Sequence, residues 1–376
     1  MLLKILLRIM KNTIPIAVTS ILFVVLYPVL SQELVASKLP VRSQARLVPY
    51  LSSPQEEVMV WDSGSACQKV VQAGGRMAIA TDDKLQVATW NIRRFPLGQL
   101  SNRAQKPNLR TDISWLACSI AWMNVDVLAV QESLATAEAK QAWEEVLRLL
   151  EGMTGASWRW MPQRCGGMKI GFLWNAKRVE VQQVKSLKAF NVRAQSPHSP
   201  CAGGLRPGLY GYVQSLQKPG VDFHLIALHL KSGSTVFALE ERQKALNRID
   251  KTMKPFLFQD KDIVILGDFN TMGAGDYASR KSELKYMRRM VSKEKPGFQD
   301  LLITPRCSHY FRGRGGWLDH ILVNHGMEEV RTRSVRVTGY CAIAQCQRIK
   351  GDYPLAYEQL SDHCPVVIDI ANQDQD

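Results

Sequence analysis

The sequence predicts a layered α/β domain over residues 85–372, and three observations carry that prediction. Runs of five or six largely apolar residues recur, each stops at polar or charged residues, and amphipathic helical stretches lie between them. Leu85–Trp90 stops at Asn91, Val125–Val130 at Gln131 and Glu132, and Phe223–Leu228 at His229. Asp262–Leu266 stops at Gly267, Asp268, Phe269 and Asn270. Runs this continuous belong to strands covered on both faces, because a sheet with one wet face alternates instead. Residues 135–150 and 235–253 carry charges three and four apart, the spacing of a helix surface. Strands alternating with helices pack as layers around a shared core.

The rest of the chain sets the bounds. A length of 376 residues allows one large core or two modest ones, and 46% hydrophobic content argues against general disorder. The formal charge of +14 favours partners that carry phosphate, nucleic acid among them; the blander readings are solubility alone or stickiness to anionic membranes. Lys4, Arg8 and Lys11 precede an uncharged stretch from Ile14 to Leu30, with Pro28, Val29 and Ser31 at its end. That three-part pattern predicts export. Residues 1–31 are expected to be a cleaved signal peptide, since the uncharged stretch is shorter than the ~20 residues of a comfortable membrane span. The alternative is an anchor formed by residues 14–30; the destination is the periplasm or the medium. Residues 32–84 hold six Pro and Gly residues and only short apolar stretches, so they are expected to be a linker or small N-terminal extension. Residues 373–376 form a C-terminal tail, and the chain is expected to work as a monomer.

Eight cysteines suit an oxidising destination. Cys118 and Cys364 lie in apolar segments and are expected to be buried thiols, whereas Cys165, Cys201, Cys307, Cys341 and Cys346 lie where bridges form. Their spacings match no zinc site.

The strand ends carry the chemistry. A carboxylate or imidazole just beyond a buried strand is costly unless it is paired or bound to a metal. One such residue is ordinary turn chemistry. Six strand ends bearing Asn, Glu, His, Asp/Asn, Asp/His and Asp/His are a set that turns do not select. Cleavage of a phosphodiester asks for these types: oxygen ligands for a hard cation, an imidazole to activate water, and amides that bind phosphate without adding charge.

The runs Thr89–Arg94, Val130–Ser133, His229–Gly233, Gly267–Asn270, Trp317–His320 and Ser361–Pro365 resemble the endonuclease/exonuclease/phosphatase superfamily, in that family's order. The resemblance covers about residues 85–372. It implies a DNase I-like four-layer α/β sandwich, two packed mixed sheets flanked by helices. It also implies a phosphodiesterase that uses Mg²⁺, with Mn²⁺ as the alternative. Glu132 resembles the principal metal ligand, with Asn91 beside it and Asp362 as a further metal-site carboxylate. Asp268 and Asn270 resemble the pair that contacts the scissile phosphate. His363 resembles a catalytic imidazole and candidate general base, oriented by Asp319. His229 stands where DNase I and the sphingomyelinases place their other catalytic histidine. Arg206 resembles an arginine that approaches phosphate from a neighbouring strand.

Two departures from DNase I stand out. Leu134 occupies the place of an arginine two residues beyond the metal Glu, and Met168 and Lys169 stand where a Glu pairs with the first histidine. The partner of His229 is therefore open. Several further residues have two readings each. Lys231 touches phosphate or faces solvent; Arg93, Arg94, Arg312 and Arg314 grip a nucleic-acid backbone or sit in solvated loops. His224 is expected in the core, and His320 is expected to point away from Asp319. The favoured function is an exported nuclease acting on DNA, with RNA second. A sphingomyelinase-type lipid phosphodiesterase and a non-catalytic binding module on the same fold are the alternatives.

Overall fold

The computed structural model describes residues 53–78, 81–98, 110–196, 198–293 and 296–375. The expected signal peptide or anchor of residues 1–31, and the whole stretch from there to residue 52, lie outside the described residues. Among the described residues no helix is long and apolar enough to cross a membrane.

The elements run in the order α1 (Pro54–Asp62), α2 (Gly64–Gln72), β1 (Lys84–Phe95), α3 (Ile113–Met123), β2 (Val127–Leu134), α4 (Ala137–Thr154) and β3 (Trp158–Pro162). Then come β4 (Met168–Asn175), β5 (Val179–Leu187), β6 (Gly208–Ser215), β7 (Asp222–His229), α5 (Val236–Leu246), α6 (Ile249–Met253) and β8 (Ile263–Asp268). The chain continues through α7 (Tyr277–Val291), β9 (Phe298–Asp300), β10 (His309–Phe311), β11 (Arg314–Gly316) and β12 (Asp319–Asn324). It closes with β13 (Val330–Val337), α8 (Tyr340–Ile343), α9 (Leu355–Gln359) and β14 (Val366–Ala371).

Among the described residues the strands make two six-stranded sheets, ordered β13-β14-β1-β2-β4-β3 and β5-β6-β7-β8-β12-β9, plus the β10–β11 hairpin. Each large sheet has one parallel pair at its centre, β1 with β2 and β7 with β8, and antiparallel neighbours around it. A parallel pair needs a crossover, which α3 supplies in the first sheet and α5–α6 in the second. The sheets pack face to face, with helices over both outer faces. This is the four-layer α/β sandwich.

Side-chain alternation explains the continuous apolar runs. In β7, Phe223, Leu225 and Ala227 join the core between the sheets, while Ile226 and Leu228 join a second core under the helices. In β8, Val264 and Leu266 face inward and Ile263 and Ile265 outward. Both faces are dry, so both must be apolar. The first sheet is capped by a tryptophan cluster in which Trp61 meets Trp90 and Trp122 edge to face at 5.7 and 6.2 Å.

Of the stretch expected to be a linker or small N-terminal extension, Pro54–Asp62 and Gly64–Gln72 are helical. Ser53 and Glu56 form a reciprocal capping box with Pro54 at the first turn, which starts α1 locally. Val60, Trp61, Cys67, Val70 and Val71 then bury against the first sheet's helices, so this segment belongs to the main core. The helix expected over residues 235–253 is divided at Asn247 and Arg248 into α5 and α6.

All eight cysteines are paired: Cys67–Cys118, Cys165–Cys201, Cys307–Cys346 and Cys341–Cys364. The expectation of buried thiols at Cys118 and Cys364 is corrected. Both are buried as expected, but each faces a second buried sulfur, Cys67 or Cys341, that an apolar sequence context does not reveal.

Candidate active site

The carboxyl ends of the two parallel strand pairs point the same way, and the polar strand ends meet there. In the second sheet His229 lies beside Asp268, and Asp268 lies beside Asp319 on its other flank. In the first sheet β1 and β2 deliver Asn91 and Glu132, and the turn before β14 delivers Asp362 and His363. Asn91 joins the two sheets: its Nδ2 donates to Glu132 Oε1 at 3.2 Å and to Asp268 Oδ2 at 3.0 Å. His229 Nε2 stands 3.7 Å from Glu132 Oε1 and 3.6 Å from Asp268 Oδ2, and His363 Nε2 is 3.8 Å from that same Asp268 oxygen. Asn91, Glu132, His229, Asp268, Asp319 and His363 thus surround one small volume.

Local backbone conformations aim these side chains. The β1–β2 ladder skips register after Asn91 and Gln131, and Glu132 takes a left-handed φ of 68°. That bulge breaks the alternation, and Arg94 N donates to Glu132 Oε2 at 3.0 Å. Such strained backbone for a non-glycine residue tends to gather at functional sites. Asn270 also has positive φ, 53°, with its N–H on Asp268 Oδ1 at 2.9 Å. Gly267 before them is required sterically, since a Cβ there would lie 2.0 Å from the Leu228 carbonyl oxygen.

The loops behind the second sheet's residues are tied by a fully buried ion pair. Arg242 Nε meets Glu283 Oε1 at 2.6 Å, linking α5 to α7. The same guanidinium donates to the carbonyls of Lys231, Gly233 and Gly273, and Glu283 accepts from Gly273 N. Arg206 lies close behind His229, donating to the carbonyls of His229 and Leu230 at 3.3 and 3.2 Å.

The imidazoles are in contrasting fields. His363 Nδ1 donates to Asp319 Oδ2 at 2.8 Å, and Ser308 Oγ donates to that oxygen at 2.7 Å. Burial alone would lower the His363 pKa, but Asp319, Asp268 and Asp362 outweigh it and push it up to about 10. His229 is buried with neither ring nitrogen hydrogen-bonded. Burial, then the charges of Arg206 and His363, hold its pKa well below the usual range, so it is neutral. Burial, joined by Asp319, raises Asp268 against the pull of His363. Asp362 is held well below the ordinary carboxylate range: burial works against this, but His309, His363 and Arg93 prevail.

His309 is a member of the site that no motif marks. Its ring centroid is 4.5 Å from that of His363, and its Nε2 is 3.7 Å from Asp362 Oδ2. Ser308, which fixes Asp319, was equally hidden. The sequence around both, Cys307-Ser-His-Tyr310, carries no metal or catalytic spacing.

Other candidates fall elsewhere. Arg93 is corrected: its side chain is buried and donates to the carbonyls of Tyr357 and Glu358 at 2.7 and 2.9 Å, so it is a strut of the fold and does not present itself to a surface ligand. Arg94 is half-buried and acts at the site through its backbone N–H. Lys231 turns its ammonium to its own loop at Ser232 O. Arg312 and Arg314 are exposed on the hairpin. His224 is a core residue bonded to Tyr210 Oη and the Phe256 carbonyl. His320 points away from the site and lies between Asp300 and Thr271.

The donor chemistry suits a divalent cation. Two triads of groups within mutual reach of one ion, Asp268–Asp319–His363 and His309–Asp362–His363, lie in the cleft, with Glu132 adjacent to the first.

The profile of the Endonuclease/Exonuclease/phosphatase family matches residues 88–363, nearly three quarters of the chain. The chain belongs to this family. Its members are hydrolases of phosphoester bonds and generally depend on a divalent metal. No curated relative matches the sequence. Among solved structures, the chain is similar to D. rerio TDP2 complexed with single-strand DNA product, at 16% identity and a TM-score of 0.49, covering 76% of this chain and 98% of that one. It is also similar to the human nocturnin catalytic domain, at 14% and 0.47, covering 77% and 95% respectively. A third is a mannosyl-6-phosphatase of Bacteroides thetaiotaomicron, at 15% and 0.46, covering 76% and 98%. None of these likenesses carries a substrate to this chain.

Proposed function

We propose that the protein is an exported, metal-dependent nuclease that hydrolyses phosphodiester bonds of DNA, and of RNA second. One observation carries the reading: six side chains from two sheets converge on one cleft whose chemistry matches phosphodiester hydrolysis. The net charge of +14 supports a polyanionic substrate.

Glu132, with Asn91 beside it, is the place for Mg²⁺, or alternatively Mn²⁺, and Asp362 adds a carboxylate nearby. When bound, the cation would stabilise charge on the phosphoryl oxygens and offset the carboxylate field that holds a proton on His363. His363 is the general base for water, with Asp319 fixing its tautomer and supporting the imidazolium that forms. Asp268 and Asn270 place the scissile phosphate. His229, neutral and unpartnered, donates to the developing charge or the leaving oxygen, and Arg206 holds its strand end from behind.

Export is supported by the basic, then apolar, N-terminal pattern and by four cystines, which persist in oxidising compartments. The lipid reading is weaker. The short hairpin beside the site bares one apolar residue, Phe311, with Arg312 lying 5.2 Å from its ring centroid.

The test is to offer the purified full chain plasmid DNA, RNA and sphingomyelin, with and without EDTA. Nicking of plasmid that EDTA abolishes is expected. Hydrolysis of lipid with neither nucleic acid touched would overturn the substrate and leave the site chemistry standing.

A further inference from the structure

The β10–β11 hairpin is built into the edge of the cleft. On one side β10 pairs with β11; on the other it pairs with the catalytic turn, through Tyr310 N on the Asp362 carbonyl at 3.0 Å and Cys364 N on the Ser308 carbonyl at 2.7 Å. His309 at the hairpin's inner end therefore packs against His363, the ring planes tilted by 53°. The outer end is pinned to residues 346–353. The Cys307–Cys346 bridge ties the base, Ile349 N donates to Gly313 O at 2.9 Å, Tyr310 Oη donates to Gln347 O at 2.8 Å, and Gly313 N donates to Tyr353 Oη.

This stapled unit presents cations outward. Arg312, Arg314, Arg348 and Lys350 are exposed, and among the described residues no carboxylate pairs with them. Arg348 lies against the hairpin turn at Gly313. At the hairpin's base Arg280 of α7 has a buried Nε without a hydrogen-bond partner. A Cβ on Gly316 would stand 3.8 Å from Arg280 Nη1 and 3.9 Å from His309 Nδ1, so Arg280 and His309 both border the end of β11.

We propose that this hairpin is a clamp for the phosphate backbone of the substrate strand, in which Arg312, Arg314 and Arg348 hold phosphates beyond the scissile one and Arg280 guides the strand past His309. The inference rests on the nuclease reading and names where the strand runs. From His309 to Phe311 β10 advances about 7 Å, two steps of ~3.3 Å, and Arg312 follows in the turn. That is about two nucleotide steps at ~3.4 Å per step along a duplex. A rigid row of arginines at that distance neutralises neighbouring phosphates without reading bases. The pinned backbone also means that little ordering cost opposes the contact.

The test compares the full chain with Arg312→Ala/Arg314→Ala/Arg348→Ala, using a short DNA duplex and bis(p-nitrophenyl) phosphate as substrates. DNA binding is followed in EDTA across a salt series. The ratio of kcat/KM for DNA to that for the small diester should fall at least ~10-fold. The slope of log K against log salt should become shallower by about 2–3, roughly one per lost phosphate contact. The triple lysine variant should recover most of the slope, which separates charge from misfolding. An unchanged ratio and slope would sink the clamp and leave the nuclease reading intact. A parent that cleaves the small diester but no nucleic acid would sink both. Loss of binding to phosphatidylserine vesicles, with DNA binding unaltered, would show a membrane surface and overturn the clamp.

Discussion

His363 and His229 approach the same oxygen of Asp268 from the two sheets, at 3.8 and 3.6 Å, yet their surroundings differ in kind. His363 is anchored through Nδ1 to Asp319, which Ser308 anchors in turn, and three carboxylates keep a proton on it. Neither ring nitrogen of His229 is hydrogen-bonded, and burial with the positive charges of Arg206 and His363 holds its pKa well below the usual range, so it is neutral. Its position comes from the backbone, with Arg206 on its own carbonyl and Arg242 on the loop that follows. A side chain held by a carboxylate has both its tautomer and its basicity set, whereas one held only by its strand has its place set but not its charge. Near His229 there is instead a thioether: Met168 Sδ lies 4.0 Å from Nη1 of Arg206, the guanidinium that donates to the His229 carbonyl.

The contrast can be broken by substitution. His363→Ala should lower kcat/KM for a phosphodiester by ~10³ or more through loss of acid–base assistance. Circular dichroism should show the fold retained, and near-parental rates would mean the anchored imidazole is not the working one. Asp319→Asn should cost ~10² by releasing the tautomer and the imidazolium. NMR titration of the His363 ring in the metal-free protein should show its pKa falling from about 10 toward 6.5. The same pair predicts a pH-dependent stability. Because the folded-state pKa is raised, its contribution is complete below pH 6.5 and is lost as pH rises through about 10. The melting-temperature gap between parent and Asp319→Asn should therefore be widest below 6.5 and close towards 10. His229→Gln should cost about 10-fold to 10²-fold, less than His363→Ala, since a neutral group stabilises charge without carrying a full proton. An equal or larger loss would reverse the ranking. Met168→Ala should change turnover less than ~3-fold, because no partner of His229 is removed; a larger loss in steady-state rates would show that the thioether positions the ring through Arg206.

The convergent residues were legible because each lies at or near an end of an apolar run, and the end of such a run is a position that sequence pattern can locate. Asp268, Asn270, Asp319 and His363 lie where the polar runs led them to be expected. His309 and Ser308 were not legible: His309 opens a three-residue strand, too short to have a period, Ser308 precedes it, and both reach the site only because the hairpin pairs with the catalytic turn. Arg93 misled for the opposite reason. It follows Asn91 in a polar run, but its guanidinium meets two carbonyls of α9 that lie 264 and 265 residues away in the chain.

Sequence alone determined that the strands would be buried on both faces, that their ends would be polar and that those ends would carry the residue types of a phosphoester hydrolase. Periodicity and side-chain chemistry are local properties, and they can be read locally. Tertiary structure alone decided that three strand ends from each sheet face one another across Asn91, that eight cysteines make four pairs, and that one imidazole is charged while the other is neutral. These outcomes depend on distances between residues far apart in the chain, and both electrostatic coupling and covalent pairing are set by distance, which the order of residues does not specify.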